Sequence, residues 1–165
     1  MSGPAPSWTD AVLTELDVAT AYAVLALRSE VFVVEQECAY LDPDGADLDP
    51  GTRHLLARTD DGRVAAYARL LAPDEQHAAP RIGRVVVAPR LRGAQLGRDL
   101  MTRALEACAR HWPGEAVELG GQAHLVGFYR SLGFVPVGEE YVEDGIPHRW
   151  MRRDGAVGPA LRDGS

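Results

Sequence analysis

A chain of 165 residues, 46% hydrophobic and 25% charged, has the length of one domain and enough apolar side chains to bury a core. Its net charge of −7 argues against general nucleic-acid binding, which needs a basic face, and suits a cationic small molecule or a basic peptide as partner. All 17 basic residues are arginine, which excludes Schiff-base and P-loop lysine chemistry, and no apolar run reaches the ~20 residues of a membrane span. The start, Met1 to Asp10, lacks the basic-then-apolar order of a signal peptide. Two cysteines, Cys38 and Cys108, are too few for a disulfide framework or a zinc site, and read as reduced thiols in a cytoplasm. No asparagine is present, which excludes N-glycosylation.

In chain order, Trp8 to Glu15 reads as an edge strand. Asp17 can cap a helix that places Val18, Tyr22, Leu25, Ser29 and Phe32 on one stripe. Glu35 to Pro50 is an acidic loop. It is either a cradle for a cationic partner or a solvated acidic surface, and the placement of Gly45 rules out an EF-hand. Arg53–Arg58 and Arg63–Leu71 are strand-like around the hairpin turn Asp61-Gly62. After a second loop, Ile82 to Val87 is a short β-branched strand. A helix then runs to about Trp112 with Leu100, Ala104, Cys108 and Trp112 inward. Val117 to Leu119 is a short strand. Gln122 to Leu132 is helical, with Leu125, Phe128, Tyr129 and Leu132 on one stripe and Gly133 as its stop. Phe134 to Val142 and Pro147 to Arg152 form a last hairpin around Asp144-Gly145. The order β-α-β-β-β-α-β-α-β-β predicts one mixed α/β domain over residues 1–153. The small, polar tail 154–165 is expected to be disordered.

One segment, Ile82 to Met101, has the parts of an anion site. A strand ends, a turn containing Gly93 follows, and a helix opens near Gly97. The first turn of a helix offers unpaired N–H groups and the positive end of its dipole. Glycine lets a ligand approach that backbone, and Arg90, Arg92 and Arg98 add charge. The spacing is neither a P-loop nor the Rossmann pattern. By itself the segment fits a pyrophosphate site and an ordinary loop equally well.

A second segment, Gly120 to Phe134, resolves that tie by resemblance. Arg92-Gly93-Ala94-Gln95-Leu96-Gly97 resembles the phosphate turn, and Phe128-Tyr129-Arg130-Ser131-Leu132-Gly133-Phe134 the last-helix element, of the GNAT superfamily of acyl-CoA-dependent N-acyltransferases. The two lie in the family's order, one helix and one strand apart, and the resemblance spans roughly Arg53 to Met151. Together with the stretch from Arg28 to Gln36 and the stretch from Glu143 to His148, the chain looks most like the ElaA subgroup. It departs from the pattern at Gln95, where the family has glycine, and at Gln122, where it often has asparagine.

The resemblance implies a GNAT-like α/β fold: a mixed, mostly antiparallel sheet with flanking helices and splayed central strands. It implies an N-acetyltransferase taking acetyl-CoA as acyl donor, without a metal. Pantetheine would lie between the splayed strands against the backbone of Val85, Val86 and Val87, with Gln122 beside it. The N–H groups of Gly93, Ala94, Gln95, Leu96, Gly97 and Arg98, with the Arg92 side chain, would hold the pyrophosphate. Tyr129 would stabilise the departing thiolate. Full proton transfer from a phenol to a thiolate runs uphill by roughly 2 kcal/mol at reference pKa values, so a hydrogen bond is its role. An amine must be neutral to attack, and Glu35 and His124 are the base candidates, with Glu118 and His148 behind them. Glu35, Asp42, Asp44 and His148 are the expected contacts of the acceptor, a small-molecule or peptide amine. A monomer or homodimer is expected. An acyl-homoserine-lactone synthase and a non-catalytic acyl-CoA sensor are the alternatives.

Overall fold

Apolar runs on either side of Asp61-Gly62 pair as an antiparallel hairpin, β2 (Arg53–Arg58) with β3 (Val64–Leu71). β1 (Ser7–Ala11) adds to its outer edge, and β4 (Arg81–Val87) to its inner one. The remaining strands are β5 (Val117–Gln122), β6 (Val135–Pro136), β7 (Tyr141–Glu143) and β8 (Ile146–Arg153); the helices are α1 (Val18–Arg28), α2 (Leu96–His111) and α3 (Val126–Ser131). This computed structural model describes residues 4–93 and 95–155. Ala94 and the tail from residue 156 lie outside the described residues. No helix among the described residues is long and apolar enough to cross a membrane.

The sheet runs β1-β2-β3-β4-β5-β8-β6, with β7 also paired to β8. Every pair is antiparallel except β4 with β5. The expected mixed α/β, mostly antiparallel sheet is therefore present. The predicted order of elements holds, except that the strand expected over Phe134 to Val142 is two strands broken at Gly138, where φ is +76°. β5 runs three residues longer than read, to Gln122. The edge strand stops at Ala11 and gives way to a 3-10 turn, Leu13–Glu15. Asp144 and Gly145 both have positive φ, the requirement of the tight turn between β7 and β8.

Helices cover both faces. On one, Leu96, Leu100, Met101, Ala104, Ala107 and Cys108 of α2 pack on a β3 rich in alanine, whose small side chains let the helix sit close. On the other, Val24, Leu27 and Val31 pack on Leu56, Tyr67 and Val86. Here the expected stripe is wrong. Val18 and Tyr22 are 86% and 75% exposed, and the buried residues of α1 are Thr20, Val24, Leu27 and Arg28. The helix is apolar almost all round, so periodicity did not choose its inward face. Arg28 did. Its side chain is fully buried, with Nε 2.7 Å from Asp42 and Nη1 2.7 Å from Asp47, and Thr20, Val24 and Val31 share its side of the helix.

Those contacts also correct the reading of the acidic loop. It is not solvated along its whole length: Glu37, Asp44 and Asp49 are exposed, but two of its acids turn inward. Asp42 and Asp47 are buried, and Asp44 pairs with Arg69 at 2.8 Å. Asp42 is spent on Arg28, Arg84 and the Tyr40 hydroxyl, so it does not serve as an acceptor contact.

Candidate active site

β4 and β5 share a single register pair, Arg81 with Glu118, reinforced by the Glu118 N–H donating to the Pro80 carbonyl at 3.0 Å. Beyond it the two strands run on, to Val87 and Gln122, without pairing. A bulge drives them apart. Tyr67 pairs with Val86 but Arg69 with Gly83, so β4 spends one residue more than β3 over that interval. Within that interval, Arg84 has a φ of +50°. Bulges bend a strand and free its polar groups from the ladder. Gly83, a glycine inside a β-branched run, was the sequence signal for it.

The splay opens a cleft of about 760 Å³. Gly83 to Val87 form one wall and Leu119, Gly120 and Gln122 the other. α1 runs on into a π-helical turn, Ser29–Glu35, which contributes Phe32 and Glu35. The sequence reading carried a regular helix only as far as Phe32. Tyr129 and His124 close the cleft from the α3 side, and Asp44, Glu143 and His148 line its other end. The structure thus brings Val85, Val86, Val87, Arg92, Gln122, Tyr129, Glu35, His124, Asp44 and His148 to one cavity. Glu118 is not among its walls: it accepts from Trp150 at 3.0 Å and Arg152 at 3.0 Å. Arg84, Tyr40, Cys38 and Glu143 line it too, and sequence reasoning had not placed them there.

At the mouth, the chain turns through Gly93 (φ +87°) and Gln95 (φ +61°) into α2. A side chain at Gly93 would meet nothing within 4 Å, and one at Gly97 would make only an ordinary contact with Val87 at 3.8 Å. Nothing in the protein itself therefore demands glycine at position 97. The Arg98 N–H is already bonded to the Gln95 carbonyl at 3.1 Å, and the Arg98 guanidinium to Ser131 at 2.9 Å, with Phe128 beneath it. Leu96 sends its side chain into the core, so only its N–H is available here. Arg92 reaches across to Glu35 at 2.7 Å.

Tyr129 is 5% exposed and lies against β5. An added Cβ at Gly121 would stand 2.7 Å from the Tyr129 ring, so that glycine makes room for the tyrosine. Phe128 and Phe134 meet the ring edge-on. Burial pushes the hydroxyl up to about 12, which keeps it a donor at neutral pH. Asp44 is the reverse case: burial raises it, but Arg69 outweighs burial and holds it down to about 2.

A splayed parallel pair, a bulged wall and a buried tyrosine at a helix facing the gap define an acyltransferase fold. Residues 30–154 match the family model described as the acetyltransferase (GNAT) domain, and the chain belongs to that family. It is 50% identical to protein ElaA of Escherichia coli K12, over 89% of this chain and 95% of that protein. The crystal structure of E. coli ElaA superposes with a TM-score of 0.84 at 48% identity, covering 90% of this chain and 99% of that one. An acyl-CoA N-acyltransferase from Pseudomonas aeruginosa gives a TM-score of 0.86 at 48% identity and the same coverage.

Proposed function

We propose that this protein transfers an acetyl or other short acyl group from acyl-coenzyme A directly to an amine. The observation that carries the reading is the unpaired gap between β4 and β5. Neighbouring strands stand ~4.8 Å apart, so a gap between two strands accepts one extended chain of amide groups, as pantetheine is. The β4 backbone from Val85 to Val87 offers that chain hydrogen bonds, and Gln122 offers them from the opposite wall. The fit extends to the mouth. There the N–H groups of Gly93, Leu96 and Gly97 sit at the positive end of α2, beside the Arg92 side chain. The Arg98 N–H, already bonded, is the weakest member of the expected set.

Tyr129 donates a hydrogen bond to the sulfur as the thioester breaks. Its high pKa makes it a poor proton source and a durable donor. The P. aeruginosa relative, described as an acyl-CoA N-acyltransferase, supports the same chemistry. The two buried, unpaired cysteines are consistent with a cytoplasmic setting.

The test is coenzyme A release over a panel of amines, with acetyl-CoA affinity measured by calorimetry. Tyr129→Phe is expected to lower kcat about 100-fold while leaving acetyl-CoA affinity within a few-fold. Unchanged turnover would remove Tyr129 from the mechanism. Tight acetyl-CoA binding with no release on any amine would favour a sensor instead.

A further inference from the structure

We propose that Glu143 and His148 form the station that receives the acceptor: Glu143 holds the incoming ammonium, and His148 Nε2 takes its proton. The proposal rests on the N-acyltransferase reading and deepens it, by naming the base and a cationic amine as the acceptor class.

The other acids and imidazoles of the cleft are committed or unfixed. Glu35 is exposed, and at 2.7 Å from Arg92 its carboxylate positions the guanidinium assigned to the pyrophosphate. Asp44 is shared by Arg69 and Arg84. His124 is exposed, with no hydrogen bond fixing its ring among the described residues. His148 differs on each count. It is 8% exposed and lines the cleft. Its Nδ1 lies 2.7 Å from the Ile146 carbonyl, and a carbonyl only accepts, so Nδ1 carries the hydrogen. The neutral ring therefore keeps its lone pair on Nε2. Tyr141 stacks on the ring at 5.7 Å and holds its plane. Nε2 and the Glu143 carboxylate stand 3.6 Å apart. That is too long for a hydrogen bond between them, and short enough for one ammonium to donate to both.

The register of the sheet sets the direction of attack. His148 pairs with Gln122 and Trp150 with Gly120, so these four share a face. Leu119 and Met151 point to the opposite face, where α2 packs, and Tyr129 lies on that side against Gly121. Base and thiolate donor thus approach neighbouring residues of β5 from opposite sides of the sheet, and they meet where β4 has moved away. The amine is deprotonated on one side of the thioester and the sulfur departs toward the other.

The balance is complete. An ammonium gives one proton to Nε2, and its freed lone pair forms the N–C bond as the C–S bond breaks. The second nitrogen proton is matched by the thiol proton of released coenzyme A. His148 returns the first to solvent.

The experiment uses acetyl-CoA with putrescine, cationic at neutral pH, and hydroxylamine, largely neutral there. His148→Gln is expected to lower kcat/KM for putrescine about 100-fold and to erase the acid limb of its pH profile. Acetyl-CoA affinity should stay within roughly threefold, and hydroxylamine turnover should fall at least about tenfold less than putrescine turnover. Glu143 is 62% exposed, so Glu143→Gln leaves folding intact. That variant should raise KM for putrescine more than it lowers kcat. Glu143 is the charged group beside the ring, and Asp144, Arg84, Asp44, Glu35, Arg92 and His124 line the same cleft. Equal losses with both acceptors in His148→Gln, or an intact acid limb, would overturn the proposal alone. Release on other amines of the panel but not on putrescine would overturn the cationic-acceptor proposal alone, and no release on any amine would sink the N-acyltransferase reading beneath it.

Discussion

Gln95 enters α2 in the left-handed region, at φ +61°. That region crowds Cβ against the backbone and favours glycine, so the family's preference for glycine here is a backbone requirement that this chain meets at a cost. The Gln95 side chain makes no capping bond in return. Gln95→Gly is expected to stabilise the protein by about 1 kcal/mol, read as a higher urea midpoint, with acetyl-CoA affinity within a few-fold. A lower midpoint would mean that the side chain contributes more than its strain. Gly121 is the opposite case: a residue whose small size is dictated by a neighbour, the Tyr129 ring.

At the scale of elements, one ion-paired arginine orients a helix and pins a loop. Arg28 is fully buried, and its guanidinium donates to Asp42 and Asp47 from Nε, Nη1 and Nη2. These bonds tie α1 to residues 42–47 and set the wall that carries Tyr40 and Asp44 into the cleft. Removing one partner of a buried pair leaves the other charge without compensation. Arg28→Ala should therefore cost about 3–5 kcal/mol. Hydrogen exchange should speed up first in residues 36–50. A loss under ~1 kcal/mol would show that the pairing directs the helix without stabilising it.

For the whole molecule, the buried network makes stability depend on pH in two stages. His54 is buried between the Tyr67 hydroxyl at 2.7 Å and the Asp47 carbonyl at 3.2 Å, and burial lowers its pKa. Its contribution is complete above the unfolded value of ~6.5 and fades as pH falls toward the folded one. Asp44 and Asp47 are held low by arginines that outweigh burial, Asp44 at about 2. Their contribution is complete above ~4 and fades as pH falls through the folded values. The urea midpoint should be level near pH 7, decline below ~6.5, and decline more steeply below ~4. His54→Gln should remove the first decline and keep the second. A midpoint unchanged from pH 7 to 5 in the wild type would refute the role of His54.

The order of strands and helices, the two DG hairpin turns, the inward face of α2 and the glycine turn that opens it were legible in the sequence. Each rests on local chemistry: alternation, β-branching, glycine placement and a strongly one-sided helix. The residues from Val85 to Val87, Tyr129, Glu35, His124 and His148 could be named, but not brought together. The inward face of α1 was not legible, because a helix apolar all round has no preferred side until Asp42 and Asp47 arrive from 14 and 19 residues away. Nor was the π-helical turn, and of the bulge at Arg84, which exists only relative to the register of β3, Gly83 was the one local sign. The sequence by itself determined a GNAT-type α/β chain with a glycine turn opening α2 and a helix carrying Tyr129. Only the tertiary structure decided that the acidic loop folds inward onto arginines and that His148 and Tyr129 face one cleft from opposite sides. Both depend on pairings between distant strands and charges, which no local pattern encodes.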